Sequence, residues 1–268
     1  MAATLLVLGG GRMGSALLSG IFAGGSLQPE DVVLVEPGVE RRAVLALTFP
    51  GVTLVDTPEI EHIDEKTGVL LCVKPDIAES VCRIVGGLGA QRIMSVVAGV
   101  NAARLEATLP GPISVVRAMP NTPALVGAGM TVISGGSHVT KEDLDWAEDL
   151  LSCVGAVIRL PERHLDAVTG LSGSGPAYIF LVAESLIEAG VAAGLPRDVA
   201  GTLAAQTIYG AGKMLVETGE SAEALRAAVT SPGGTTAAGL RALESRAARS
   251  AIFEAVMASA ERSKNLGR

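Results

Sequence analysis

The chain has 268 residues, near the size at which one hydrophobic core gives way to two. Its 28 acidic residues outnumber its 21 basic ones, for a net charge of −7, which excludes nucleic acid as the expected partner. It is 49% hydrophobic but only 3% aromatic, so Ala, Val, Leu and Ile must fill the core; this favours close helix–helix contact and an assembly surface buried besides the core. Mean hydropathy is +0.44. The most apolar helical stretch, near Tyr178–Leu195, carries Glu184 and Glu188, so no membrane span is expected. Cys72, Cys82 and Cys153 are odd in number and widely spaced, which predicts reduced thiols and a cytoplasmic location. A strand pattern at Thr4–Leu8 runs straight into a glycine-rich turn, where a signal peptide would show a longer apolar run. His62, His138 and His164 are scattered and make no metal-ligand spacing, so no metal is expected.

In chain order, short apolar runs predict strands at Leu5–Leu8, Val32–Val35, Val52–Val55, Val69–Val73, Ile93–Val97, Ile113–Val116, Met130–Ile133 and Ala156–Leu160. Helical patterns begin near Met13, Val39, Ile77, Ala102 and Lys141, the last preceded by Thr140 and followed by Asp143 in a capping-box spacing. This βαβ rhythm over residues 1–160 predicts an α/β domain with a doubly wound, mostly parallel sheet. From Pro161 the strand signals stop. Helices are predicted at about 162–169, 175–193, 196–218, 221–229, 235–246 and 249–265, an all-α domain over 161–268 with Pro196 in a first turn. The stretch 175–193 is apolar on most faces, and a second subunit is expected to cover it.

Gly9-Gly10-Gly11-Arg12-Met13-Gly14 follows the first strand and opens a helix. Gly9, Gly11 and Gly14 fit the G-x-G-x-x-G of a Rossmann dinucleotide site: a tight turn, room for a pyrophosphate, and close helix–strand packing. Glu36, 22 residues after Gly14, stands where an acid accepts hydrogen bonds from the adenosine ribose. A carboxylate there repels a 2′-phosphate and favours NADH over NADPH, while Arg41 and Arg42, one helical turn on, are either phosphate ligands or a solvated face. Val73-Lys74-Pro75 and Val97-Ala98-Gly99 lie at the carboxyl edge of the predicted sheet, where cofactor and substrate bind. Met119-Pro120-Asn121-Thr122-Pro123 is a rigid turn and a candidate wall of that cleft.

The other informative segment is Thr230-Ser231-Pro232-Gly233-Gly234-Thr235-Thr236, between two helical patterns. Pro232 and the two glycines make a turn, and Thr235 and Thr236 begin a helix whose first N–H groups lack helical partners. Such a turn either caps and starts helices or holds a small carboxylate at the helix N-terminus.

Together these segments resemble pyrroline-5-carboxylate reductase along essentially the whole chain. The resemblance runs through the glycine loop, Val73-Lys74-Pro75, Ala98-Gly99-Val100, Arg117–Pro123, Leu171–Tyr178 and, most specifically, Val229–Glu244. It implies reduction of the C=N bond of L-1-pyrroline-5-carboxylate to L-proline with NADH or NADPH. It also implies a Rossmann domain followed by a helical domain that interlocks in a homodimer, in some members assembled into decamers. Gly9, Gly11, Arg12, Met13, Gly14, Glu36, Val73, Lys74, Pro75 and Ala98 would then bind the cofactor. Ser231 and the N–H groups of Gly234, Thr235 and Thr236 would hold the substrate carboxylate, and the Thr236 hydroxyl would serve the ring nitrogen as the catalytic group. Glu36 stands where NADPH-using members often have Ser, and Pro58 where many have Asn. Ala247-Ala248 replaces a usual Gly-Phe, and Ser221-Ala222 a frequent His-Pro.

The chemistry suits these residues. No histidine lies in any motif, and a hydroxy-acid dehydrogenase needs a base such as His or Lys. The related β-hydroxyacid dehydrogenases carry a Lys four residues after a glycine like Gly175, where this chain has Ile179. A protonated cyclic imine accepts hydride directly and asks mainly for alignment and a grip on its carboxylate. Three alternatives stay open at this point: a reductase of another small cyclic imino acid, a non-catalytic dinucleotide-sensing module, and a methyltransferase using S-adenosylmethionine.

Overall fold

The structure, a computed structural model, describes residues 2–266. The described residues form two compact units, one of 2–174 with 258–266 and one of 175–257. Each is built from its own contacts.

The first unit is an eight-stranded sheet in the order β3-β2-β1-β4-β5-β6-β7-β8. The strands are β1 (Leu5–Leu8), β2 (Val32–Val35), β3 (Thr53–Val55), β4 (Gly68–Leu71), β5 (Arg92–Ser95), β6 (Ser114–Met119), β7 (Gly129–Gly135) and β8 (Gly155–Arg159). The first six are parallel, β7 runs antiparallel to β6, and β8 is parallel to β7. All eight sequence-predicted strands are present. β1 is central, and its side chains alternate between two cores: Leu6 and Leu8 on one face, Leu5 and Val7 on the other. A strand buried on both faces reads as an unbroken apolar run, as Leu5–Leu8 does. Each such side chain contributes about 1.5–3 kcal/mol through burial.

Helices cover both faces. On one, α3 (Pro75–Gly87) and α4 (Ala102–Glu106) bury Ala78, Cys82, Val85 and Leu105. On the other, α1 (Arg12–Ala23), α2 (Val39–Thr48) and α5 (Lys141–Ser152) bury Leu17, Leu18, Ile21, Leu45, Leu150 and Leu151. The capping box is formed as expected: the Asp143 N–H donates to the Thr140 hydroxyl at 3.2 Å, and the Asp143 carboxylate accepts the Thr140 N–H at 2.9 Å.

Four local expectations are corrected. β4 stops at Leu71 and β5 at Ser95, so Val73 and Val97 lie past the last paired residue. The third helix begins at Pro75, two residues before Ile77, because proline at the first position loses no helical hydrogen bond. Pro196 is the N-cap rather than a first-turn residue of its helix. The expected helix 162–169 is instead a 3-10 turn (Glu162–His164), a single turn α6 (Leu165–Val168) and a π turn (Thr169–Gly173). Gly170 and Gly173 weaken an ordinary helix there, and the wider turn leaves the Ser172 carbonyl to accept from the Asn121 side chain at 3.0 Å.

The second unit holds α7 (Gly175–Ala192), α8 (Arg197–Glu217), α9 (Ala222–Ala228), α10 (Thr235–Ser245) and α11 (Ala248–Leu266) as far as Met257. α7 and α8 pack as a hairpin turned at Gly194, which has φ +102°. A Cβ on Gly190 would stand 3.1 Å from the Ala200 Cβ, the close contact that an Ala- and Gly-rich composition allows. Yet α7 buries no residue within the chain, and Phe180 and Leu181 are about two-thirds exposed. By length and composition alone the stretch Glu162–Ala192 is apolar enough to cross a membrane even with Glu184 and Glu188 in it.

Candidate dinucleotide and substrate sites

The loop after β1 uses each glycine differently. Gly9 has φ +102°, and a Cβ there would stand 2.7 Å from the Cys72 carbonyl oxygen. A Cβ on Gly14 would clash with the carbonyl oxygen of Gly9, so only glycine lets α1 start this close to the strand end. Gly11 is the N-cap of α1, and a Cβ on it would meet nothing within 4 Å. The chain therefore leaves space at Gly11, where a pyrophosphate approaches the backbone. α1 has no side-chain cap and no acidic residue in its first turn. The N–H groups at its start, through Arg12, Met13 and Gly14, have no helical carbonyl to bind; the first is Gly11, accepting from Ser15 at 2.9 Å. Arg12 is exposed, while Met13 packs against the core. This open, donor-rich cradle fits a dinucleotide.

Glu36 follows β2 directly, its N–H bound to the Val55 carbonyl at 2.9 Å. Its carboxylate accepts the Gly10 N–H at 3.1 Å and the Gly38 N–H at 3.0 Å, which sets it beside the loop. Arg41 and Arg42 are not a solvated face. Arg41 donates to the Gly10 carbonyl at 2.7 Å and the Ser15 hydroxyl at 2.9 Å; Arg42 donates to the carbonyls of Glu36 at 2.6 Å and Pro37 at 2.8 Å.

Lys74 is the exposed N-cap of α3, Pro75 its first residue, and Val73 a half-buried residue packed on the core. Desolvation behind the loop pushes the Cys72 thiol up to about 12, so it is no nucleophile at ordinary pH. Ala98 and Gly99 form the turn past β5, with Gly99 at φ +76°. A Cβ on Gly99 would stand 3.0 Å from the Leu266 Cβ, so the chain's last described residue closes on this turn. No pattern around Leu266 announced that contact.

The Arg117–Pro123 segment is firmly braced. Arg117, at the end of the paired stretch of β5 and β6, meets Glu162 at 2.9 Å, and the same carboxylate oxygen accepts the Ala102 N–H at 2.7 Å. Asn121, 8% exposed, accepts the Met130 N–H at 2.8 Å besides its bond to Ser172. A cavity of about 420 Å³ lined by Thr4, Leu5, Arg92 and Trp146 opens at the opposite, amino-terminal edge of the sheet, away from the ligand-binding edge. Among the described residues no His, Cys, Asp or Glu cluster could hold a metal.

In the second unit, Ser231-Pro232-Gly233-Gly234 is a type II turn: the Gly234 N–H donates to the Ser231 carbonyl at 3.1 Å and Gly233 has φ +71°. Gly234 caps α10, and a Cβ on it would collide with the Ser231 hydroxyl oxygen. That hydroxyl thus lies over the helix start. α10 has no side-chain cap and no acid in its first turn; its first helical bond runs from Ala238 to Gly234. The Thr235 and Thr236 N–H groups are left for an outside acceptor. Ser231, Gly234, Thr235 and Thr236 are thus gathered at one helix N-terminus.

A doubly wound sheet with a glycine loop, an unblocked helix N-terminus and an acid after β2 defines a Rossmann-type dinucleotide-binding protein. Residues 4–99 match the family model described as NADP oxidoreductase coenzyme F420-dependent, and residues 162–266 the model for pyrroline-5-carboxylate reductase dimerisation. The pyrroline-5-carboxylate reductase of Synechocystis is 42% identical over 269 residues, covering 100% of both chains. A solved pyrroline-5-carboxylate reductase from Coxiella burnetii superposes with TM-score 0.90 at 33% identity, covering 100% of both chains. The Plasmodium falciparum pyrroline carboxylate reductase with NADP bound gives 0.86 at 32%, covering 98% of both. The chain belongs to the pyrroline-5-carboxylate reductase family. Membership in a family with a helical dimerisation domain accounts for an α7 that is apolar yet buries nothing within the chain.

Proposed function

We propose that this protein reduces L-1-pyrroline-5-carboxylate to L-proline with a reduced nicotinamide dinucleotide, the last step of proline synthesis. One observation carries the reading: a type II turn lays a serine hydroxyl over an uncapped, acid-free helix N-terminus, in a chain whose other half presents an unblocked dinucleotide loop. When bound, the nicotinamide supplies the hydride. Arg12, Met13 and Gly14 offer N–H groups to the pyrophosphate across the space at Gly11, and Val73, Lys74, Pro75 and Ala98 line the nicotinamide side. Ser231 and the N–H groups of Gly234, Thr235 and Thr236 hold the substrate carboxylate, charge against helix dipole. The Thr236 hydroxyl orients the ring nitrogen and passes a proton as the amine forms.

NADH is the preferred cofactor in this reading. The Glu36 carboxylate repels a 2′-phosphate, and Arg41 and Arg42 already bind main-chain carbonyls. The working assembly is a homodimer, supported by the match to a dimerisation model and by α7, and five such dimers would build a decamer. The dimer covers the apolar stretch 162–192, so the protein works in the cytoplasm without a membrane or nucleic acid.

The test is a spectrophotometric assay with pyrroline-5-carboxylate and each reduced cofactor. Imine-dependent oxidation, faster with NADH, is expected; no oxidation with either cofactor overturns the reading. A six-membered imine turned over faster would move the substrate to the piperideine carboxylates. Sedimentation under assay conditions should show no active monomer.

A further inference from the structure

The peptide unit of Gly10 is held from both ends. The Glu36 carboxylate accepts its N–H, while its carbonyl accepts from the Arg41 guanidinium at 2.7 Å and from the Ser15 hydroxyl at 3.2 Å. Arg41 also donates to that hydroxyl at 2.9 Å, closing a ring of three bonds. Gly10 has no room for a side chain: a Cβ there would collide with Leu45 of α2 and lie 3.4 Å from Glu36 Oε2. The residues between β2 and the middle of α2 therefore fix the tip of the glycine loop, next to the open space at Gly11.

We infer that Arg41 is a positioning residue for the dinucleotide, acting through Gly10 and Ser15 rather than as a ligand of a 2′-phosphate. Its guanidinium holds the Gly10 peptide in the orientation that leaves Gly11 and the α1 N–H groups facing the pyrophosphate. A charged hydrogen bond from a half-buried guanidinium holds a backbone carbonyl more firmly than a neutral one. Because the pyrophosphate is common to both cofactors, the clamp serves NADH and NADPH alike. A 2′-phosphate ligand would serve NADPH alone. The inference rests on the dinucleotide site proposed above.

The test uses Arg41→Met, which keeps the aliphatic stem, Arg41→Lys, and Ser15→Ala in the full-length protein. Binding of NADH and of NADPH is titrated by their fluorescence without imine, and kcat and both KM values are measured separately. Arg41→Met should weaken both cofactors by the same factor, about tenfold, the weight of a charged hydrogen bond. Its kcat at saturating cofactor and its imine KM should stay within about twofold of wild type by the same reasoning. Arg41→Lys should recover part of the affinity, and Ser15→Ala combined with Arg41→Met should add little to either alone. A loss confined to NADPH overturns the inference in favour of a phosphate ligand. Unchanged affinity for both, or a fall in kcat with affinity unchanged, overturns it as well. A wild-type protein that binds dinucleotide but leaves the imine untouched refutes the proposed reaction, and Arg41 is still judged on binding. A wild-type protein that binds neither cofactor overturns both.

Discussion

A Cβ on Gly14 would clash with the carbonyl oxygen of Gly9, while one on Gly11, three residues earlier, faces open space. In the function proposed above one glycine serves the fold and the other the dinucleotide, so the two separate in experiment. Gly14→Ala should destabilise the protein by about 1–3 kcal/mol, because helix α1 must shift away from the strand end. Gly11→Ala should leave the denaturation midpoint unchanged, since φ −69° suits alanine. It should still weaken NADH binding by about tenfold or more, the methyl group standing where the pyrophosphate approaches. Thermal melts and fluorescence titrations of both variants check the contrast; equal melting losses would refute it.

Thr236 and Ser231 share one helix N-terminus but are assigned different work. Thr236→Ala should lower kcat/KM by roughly 10–100-fold, the weight of one hydrogen bond to a charged group. Ser231→Ala should mostly raise KM for the imine, since the carboxylate loses one donor and the ring nitrogen none. Steady-state kinetics at saturating cofactor check this. Near wild-type activity of Thr236→Ala would remove it from the mechanism, and an unchanged KM would place Ser231 outside the pocket.

Asp143 ties the start of α5 to β6. Its carboxylate accepts from the Ser114 hydroxyl at 2.6 Å, the Thr140 hydroxyl at 2.8 Å and the Thr140 N–H. Burial alone would raise its pKa, but the Ser114 and Thr140 hydrogen bonds, with the Arg92 charge, outweigh it and hold the group below its ordinary 3.8. A folded pKa lowered in this way contributes stability that is present above 3.8 and lost as pH falls through the folded value. Asp143→Asn should therefore cost about 1 kcal/mol at neutral pH, as for a lost helix cap. The gap between variant and wild type should close below about pH 3.8. Urea denaturation at pH 7 and pH 3 measures it, and a gap that stays constant would show that the charge contributes nothing.

Much of this was readable in advance, for identifiable reasons. The strands β1, β2 and β4 stand out because a strand covered on both faces demands a continuous apolar run, and each is buried along its whole length. The Thr140–Asp143 box and the turn at Ser231–Gly234 depend on residues within three positions of each other, so spacing alone carried them. Strand ends were read too late at Val73 and Val97, because those residues stay packed after the backbone has left the ladder; hydrophobicity reports burial, not pairing. The π turn at Thr169–Gly173 depends on Asn121, far away in sequence, reaching Ser172. The role of Arg41 is hidden for the same reason: neither a phosphate ligand nor a solvated face suggests a partner at Gly10, which lies 31 residues earlier. Composition changes at 160, where the strands end, but packing continues through Ser174 and takes in the end of α11.

Ala247 is the one non-glycine with positive φ among the described residues, at +55° between α10 and α11. Its N–H donates to the Glu244 carbonyl at 3.1 Å, and its own carbonyl accepts from Ala251, so the left-handed residue ends one helix and begins the next. The resemblance places a usual glycine here, and the backbone shows why: an L-residue in this region costs about 1–2 kcal/mol. The Ala247 side chain is exposed, so removing its methyl forfeits little packing. Glycine gives back part of the gain through a more flexible unfolded chain, a smaller effect of about 0.4–1 kcal/mol. Ala247→Gly should therefore stabilise the protein by about 0.5–1 kcal/mol on that balance. A rise in the urea midpoint at unchanged slope would confirm it; a fall would show that the link between these helices is not held left-handed in solution.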